Sequence, residues 1–500
     1  MVRPADELAG RAARGFAWAL ASTLGAKLLW LGGLAVLARV LAPEDFGLLA
    51  FGLVYVAYLE SIGDLGTGAA LVYWPESDDR GIDRTAQATF AVNLATGLLF
   101  FTLTQLLAPA VAAFFHEPEG EPILRALAWA FPLKALGNTH DALCQRELRF
   151  RARALPELLL ALAKTVAAVA LALGGLGVWS LVWGQLLGLA AWVVGLWAVV
   201  PWRPSASWAG ERVRGVLRYG RGIVAVNVLA AVVHHADLVV VGRMLGAAAL
   251  GFYQLAYKLP EMTVTVAIWV AGKVLFPALS RLHTAGGDVG AGLLAALRYV
   301  PALTLPAAVG LAFLAEPAIL ILYGGQWRPS IPLLQALALY LGVRSIGSPA
   351  GDLLKATGRS GLLAGLAAVK AAVLLPALIA AGRAGVEAVA WTLAAVGVAT
   401  TALNLAVAAR LAPVRWAAIG RALAPSALAT AAMAAVLALL ARVSGDGGGG
   451  PAVAELALRV AAGAAVYLAA LRLLAPDLLA GAVASLRGTA PRPALGTEGG

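Results

Sequence analysis

Apolar runs of about twenty residues follow one another along this chain, parted by short joins rich in glycine, proline and charge. A bilayer core about 30 Å thick takes roughly 20 apolar residues per helical crossing. The runs therefore predict membrane spans at 16–38, 46–73, 86–115, 123–144, 155–173, 178–200, 218–241, 250–278, 298–322, 331–354, 361–381, 386–409, 418–441 and 452–473. The joins carry turn chemistry: Pro43, the Pro118/Gly120/Pro122 cluster, Gly174–Gly177, Gly324–Gly325 and Gly447–Gly450. The third and eighth runs are long enough to tilt, kink or extend past the bilayer. The expected fold class is an all-α integral membrane protein with about fourteen transmembrane helices.

Composition agrees: 61% of residues are hydrophobic and 13% charged, with a mean hydropathy of +0.83, far from the balance of a water-soluble domain. Five hundred residues so divided leave no room for a large soluble domain. The single cysteine, Cys144, excludes an internal disulfide and a cysteine-rich metal site. The first segment, charged at Arg3, Asp6, Glu7, Arg11 and Arg14, reads as leading into a retained span rather than a cleaved signal. A net charge of +11 would suggest nucleic acid in a soluble protein. Here the placement of the charges decides. With the amino terminus in the cytoplasm, about 24 basic residues fall in or beside the inside joins and about five outside. The positive-inside rule thus gives a multi-pass protein of the cytoplasmic (inner) membrane with both termini cytoplasmic, and no nucleic-acid partner is needed.

The chain also repeats itself. The end of the first span, ARVLAPEDFG (38–47), matches the end of the seventh, GRMLGAAALG (242–251), with Arg39 on Arg243, Leu41 on Leu245 and Gly47 on Gly251. ALAWAFPLKALGNTHD (126–141) in the fourth span matches ALALYLGVRSIGSPAG (336–351) in the tenth, with Lys134 on Arg344 and Gly137 on Gly347. Both matches lie six helices apart, so the copies share one orientation, a transporter architecture. We expect two parallel-repeat six-helix lobes, 1–200 and 218–410, around a central cavity. A cytoplasmic inter-lobe loop (201–217), two additional helices (411–475) and a cytoplasmic tail (476–500) complete the chain.

Charge inside a bilayer costs at least ~2.5–3.5 kcal/mol per residue on insertion scales, so such residues face a cavity or a partner. Lys27, Lys134, Lys258, Arg344 and Lys370 sit deep in their spans and are expected to form a cationic substrate site. Glu60, Asp64, Asp141, Asp237, Glu261 and Asp352 are expected as polar cavity or ion-coupling residues. Several fall into helical stripes: Lys134/Asn138/Asp141/Gln145, Gln254/Lys258/Glu261/Thr265, Arg344/Ser348/Asp352/Lys355 and Asn227/His234/Asp237. The glycines after Lys134 and Arg344 would leave room for a bulky headgroup, and the two cations would clamp it. The competing arrangement pairs Lys134 with Asp141 and Arg344 with Asp352 purely to hold helices together. Arg125, Lys273 and Arg459 lie near span ends and read as snorkelling groups. Cations outnumber acids within the spans, which favours an anionic ligand such as a pyrophosphate. No phosphate-binding loop, nucleophile motif or metal cluster appears. No enzyme activity, cofactor or metal is expected, and His234–His235, adjacent on a helix, does not face one way.

VLARVLAPEDFGLLAFG (36–52) followed by SIGDLGTGAALV (61–72) resembles the opening of the Wzx-type polysaccharide flippases, of the multidrug/oligosaccharidyl-lipid/polysaccharide exporter superfamily. RELRFRARALPELL (146–159), GVWSLVWGQLLG (177–188), DLVVVGRMLGAAALGFYQLAYKLPE (237–261), LFPALSRL (275–282) and YGGQWRPSIPLLQAL (323–337) resemble later blocks of that family, in order. The resemblance implies export of undecaprenyl-pyrophosphate-linked oligosaccharide units to the outer face by alternating access, in lipopolysaccharide, exopolysaccharide or other surface-glycan synthesis. The partners implied are that lipid-linked glycan, membrane lipid, and a glycan polymerase with its export machinery. The alternatives are a lipid II flippase, a cation-coupled multidrug exporter of the same superfamily, and, in another class, a membrane enzyme of glycan assembly.

Overall fold

The computed structural model describes residues 25–63, 67–68, 71, 79–147, 149–205, 210–443 and 453–478. Asp64, one of the expected cavity residues, lies outside them. Helices dominate, and no strand occurs among the described residues. In chain order they are α1 (25–40), α2 (Pro43–Gly63), α3 (Asp79–Phe115), α4 (Gly120–Leu127), α5 (Ala130–Arg146), α6 (Phe150–Leu173), α7 (Val178–Val199) and α8 (Gly210–Pro260). There follow α9 (Val266–Thr284), α10 (Val289–Phe313), α11 (Ala315–Leu322), α12 (Ser330–Ala356), α13 (Ser360–Gly382), α14 (Val386–Leu411), α15 (Trp416–Val443) and α16 (Val453–Leu474).

Eleven stretches of the described residues are long and apolar enough to cross a membrane. The first expected span is described only from residue 25. The fourth breaks at Ala128–Trp129, because Pro132 in the next turn has no N–H for the carbonyl of Ala128 and its ring crowds that oxygen. The seventh and eighth meet at a kink within the stretch Asn227–Thr284. The join expected there shrinks to Gly246, whose φ of 82° and ψ of −179° suit only glycine. The expected ninth span breaks likewise at Leu314, ahead of Pro317. After Pro260 one wide π-turn, Glu261–Thr265, leads into α9.

The chain forms two compact units. The first comprises Met1–Leu255, Leu322–Trp327 and Ala367–Val389. Its core gathers Leu48, Val56, Phe100, Ile123, Leu127, Phe131, Val182, Leu186 and Leu189 from α2, α3, α4, α5 and α7. Outward it presents Leu98, Leu106, Leu187 and Val194, apolar side chains that suit lipid tails.

The second unit comprises Ala256–Ile321, Arg328–Leu366 and Ala390–Gly500. Leu279, Leu293, Leu297, Leu353, Ala408 and Ile419 form one core, and Leu314, Ala429, Met433, Leu437, Tyr467 and Leu471 a second. Within it the hydroxyls of Thr304 and Ser345 meet at 2.6 Å, and the Tyr467 hydroxyl donates to the Ala302 carbonyl at 2.5 Å. Such pairs satisfy polar groups that lipid cannot.

Candidate functional site in the first unit

Helices α2, α3, α5, α6, α7 and the part of α8 from Asn227 line an open cavity of about 710 Å³ within the first unit. Its walls carry a pair of opposite charges: Lys134 Nζ on α5 lies 2.5 Å from Glu60 Oε1 on α2. Each side chain is about one-third exposed, 35% and 34%, so the pair is wet rather than sealed in the core. One turn beyond Lys134, Asn138 lines the same wall. On α3, Asn93 accepts from Thr67 Oγ1 at 2.7 Å and donates to Thr139 Oγ1 at 3.3 Å. From α8 come Asn227, His234 and His235, with the two imidazole rings 4.9 Å apart and Tyr58 5.8 Å from His235.

Trp192 on α7 forms an aromatic face of the cavity. Its ring rests on Gly137: a Cβ there would stand 2.3 Å from the indole. That corrects the expectation of headgroup space beside Gly137. Beside Gly347, in the second unit, Thr401 takes the space, 3.2 Å from where a Cβ would be.

Chemically, amides and hydroxyls give and take hydrogen bonds, an indole face suits the C–H surface of a sugar, and a lysine ammonium is a mobile point charge of the kind that suits a phosphate oxygen. Glu60 neutralises the charge of Lys134.

Of the expected site residues, this lining contains Lys134 and Glu60. Asp141 instead accepts from Arg153 Nε at 2.6 Å and from Gln145 at 2.8 Å. The pairing of Lys134 with Asp141 is therefore replaced by Lys134 with Glu60. Asp237 is buried at 5% exposure, takes a hydrogen bond from the Tyr253 hydroxyl at 2.7 Å and feels the positive charge of Lys370. Lys27 stands half-buried on α1.

In the second unit, Lys258 pairs with Glu261 at 3.0 Å and Asp352 with Lys355 at 3.4 Å. Arg344 is half-buried on α12 and has no ion-pair partner among the described residues, so Asp352 is not its counter-charge. The groups near span ends find neighbours one turn away: Arg125 pairs with Glu121 at 2.7 Å, Arg459 with Glu455, and Lys273 lies 3.4 Å from the Trp269 ring centre.

Reading charges alone missed Asn93, Thr67 and Trp192. Asn93 did carry a signal, an amide deep in an otherwise apolar run. The adjacent pair His234–His235 is not expected to face one way on a helix, yet both residues line the cavity.

Residues 36–332 match the model of the polysaccharide biosynthesis protein family. The chain belongs to that family. The succinoglycan biosynthesis transport protein ExoT of Rhizobium meliloti (strain 1021) is 29% identical over 358 residues, 72% of either chain. The lipopolysaccharide biosynthesis protein WzxC of Escherichia coli (strain K12) is 25% identical over 375 residues, 74% of this chain and 75% of its own. These relatives bear out the resemblance to Wzx-type flippases.

Among solved structures, the lipid II flippase MurJ in an inward closed conformation aligns with a TM-score of 0.75 at 15% identity, over 92% of this chain and 99% of that one. An inward-facing multidrug transporter of the MATE family aligns at 0.60 and 15% identity, over 78% and 94%. At such identities the likeness shows fold. This family member is a multi-pass membrane protein with the all-helical fold of those transporters.

Proposed function

We propose that the protein moves undecaprenyl-diphosphate-linked oligosaccharide units from the cytoplasmic to the outer face of the membrane, without making or breaking covalent bonds. The observation that carries this reading is the composition of the cavity: one lysine held by one glutamate, amides and hydroxyls around them, and an indole face. Amides and an aromatic face suit sugars, and a lysine suits the diphosphate that links them to the lipid. In the proposed cycle the diphosphate takes Glu60's place on Lys134. The glycan lies along Asn93, Asn138 and Trp192 while the prenyl tail stays in lipid. Lys27, Lys258, Arg344 and Lys370 extend the cationic path, and Asp237, Glu261 or Asp352 carries a coupling ion. The family membership and the relatives named for succinoglycan transport and lipopolysaccharide biosynthesis support the cargo class.

The proposed frame is two six-helix lobes, 1–200 and 218–410, joined by the 201–217 loop, with both termini in the cytoplasm of the inner membrane. A glycan polymerase is the expected downstream partner. Deleting the gene should abolish the surface polymer while undecaprenyl-linked repeat units accumulate on the cytoplasmic face. Disappearance of the precursor itself would indicate an enzyme of assembly instead. Accumulation of peptidoglycan precursor with cell lysis would indicate lipid II as the cargo.

A further inference from the structure

Two helix breaks in the first unit are copies of each other. The chain breaks between α1 and α2 at 41–42, and α8 breaks at Gly246. The offset that carries Arg39 onto Arg243 and Gly47 onto Gly251 also carries Ala42 onto Gly246 and Pro43 onto Ala247. The structure sets these copies face to face. A Cβ on Gly47 would stand 1.8 Å from the carbonyl oxygen of Ala247, and one on Gly251 1.9 Å from that of Pro43. Each glycine therefore meets the residue equivalent to the other's neighbour, a reciprocal contact of the kind a two-fold axis produces. Backbone lies on backbone, so neither site tolerates a side chain.

The joins ahead of α4 and α12 exchange in the same way. The offset carrying Lys134 onto Arg344 carries His116 onto Gln326 and Glu117 onto Trp327. Glu117 Oε1 accepts from the backbone N–H of Ala247 at 2.8 Å, a donor left open where α8 restarts after its kink. His116 Nδ1 lies 2.6 Å from an Arg243 guanidinium nitrogen. From the other join, Gln326 Nε2 donates to the carbonyls of Ala38 at 2.5 Å and Leu41 at 3.2 Å, and Trp327 Nε1 to Ala38 at 2.7 Å. Those carbonyls are left open by the end of α1. The Trp327 indole is fully buried, with Phe46 and Phe252 edge-on to it at 5.2 and 5.7 Å.

We propose that this crossing is a gate: the joins of each repeat clasp the broken helix of the other, and Gly47 and Gly251 position the seam that holds one mouth of the transport path shut. The seam consists of two backbone contacts, hydrogen bonds at helix ends and one buried indole, Trp327, between two phenyl rings. So small a set can part and re-form as a unit, whereas a broad interdigitated side-chain core could not do so without repacking. The inference rests on the proposed transport reading, and under the proposed topology all four segments face outward, so the mouth is the outer one.

The test starts from a Cys144→Ser background, which removes the sole cysteine. In the first arm, Glu117→Cys and Ala247→Cys are joined by mild oxidation in cells. Export should fall at least about tenfold and return on adding dithiothreitol, as for a mouth that must open once per cycle. Unchanged export by the fully cross-linked protein would make the crossing a permanent seam and overturn the gate. In the second arm, a reporter Ala230→Cys in the cavity wall is labelled from outside with an impermeant maleimide. Adding Gly47→Ala and Gly251→Ala should speed labelling about tenfold by shifting the mouth towards open. Unchanged labelling in a variant of normal abundance would show that the glycines do not set the seam. Should that variant fail to accumulate, the cross-link arm decides alone. Labelling involves no glycan, so a wrong cargo leaves this arm intact, whereas a wrong gate fails it whatever the cargo.

Discussion

A lysine inside a bilayer needs water or a counter-charge, and Lys134 has both, a cavity on one side and Glu60 on the other. Lys134→Ala should leave the protein at near-normal abundance and cut export ~10–100-fold, the effect of losing one charged contact of ~1.5–3 kcal/mol. Lys134→Arg should keep more activity than Lys134→Ala. The swap Glu60→Lys with Lys134→Glu should likewise leave abundance near normal but not support export, because the cation then stands on the wrong helix. Abundance by immunoblot and surface polymer on the same strains separate these outcomes. Asp237 poses a different case, buried with the Tyr253 hydroxyl on one carboxylate oxygen. Tyr253→Phe should lower stability in detergent by about 1–3 kcal/mol, the cost of an unsatisfied buried partner; an unchanged melting curve would show that water already serves that group. The sequence made the individual charges legible, because intramembrane charge is costly enough to stand out. It did not show which charges meet, since Lys134 and Glu60 lie on helices far apart in the chain and their meeting depends on helix packing.

Among the elements, proline and glycine decide both what was legible and what was not. The Gly174–Gly177 join was readable, and the chain indeed turns there with Gly175 and Gly177 at positive φ. The breaks at Ala128–Trp129 and Leu314 hid behind apolar sequence, yet Pro132 and Pro317 mark them once the proline's clash with the preceding turn is considered. At Gly246 a whole join was expected, and one residue of glycine-only backbone suffices. Gly246→Ala should therefore cost about 1–3 kcal/mol in strain, seen as a lower melting temperature. The cavity wall offers a second test at this scale. Gly137→Ala would push the Trp192 indole from its seat, so it should impair export about as much as Trp192→Ala, whereas Trp192→Phe should retain part of it. Equal export by all three would remove Trp192 from the substrate path.

For the whole molecule, the run of apolar segments made the all-helical membrane fold plain from the sequence, and the family match and the solved transporters bear it out. Which side faces the cytoplasm is a separate prediction. In a Cys144→Ser background, Ser205→Cys should be labelled only after the membrane is breached, and Glu119→Cys directly from outside; the reverse pattern would invert the topology. The central claim is transport of a diphosphate-linked glycan through the Lys134 cavity. Its most direct measurement is flipping in vesicles that hold the purified protein and an undecaprenyl-diphosphate oligosaccharide, read by the access of an added glycan-cleaving enzyme. The account predicts that wild-type protein exposes the glycan to that enzyme and that Lys134→Ala, reconstituted in equal amount, slows exposure at least ~10-fold. Exposure no faster than in protein-free vesicles, or equal exposure by Lys134→Ala, would contradict it.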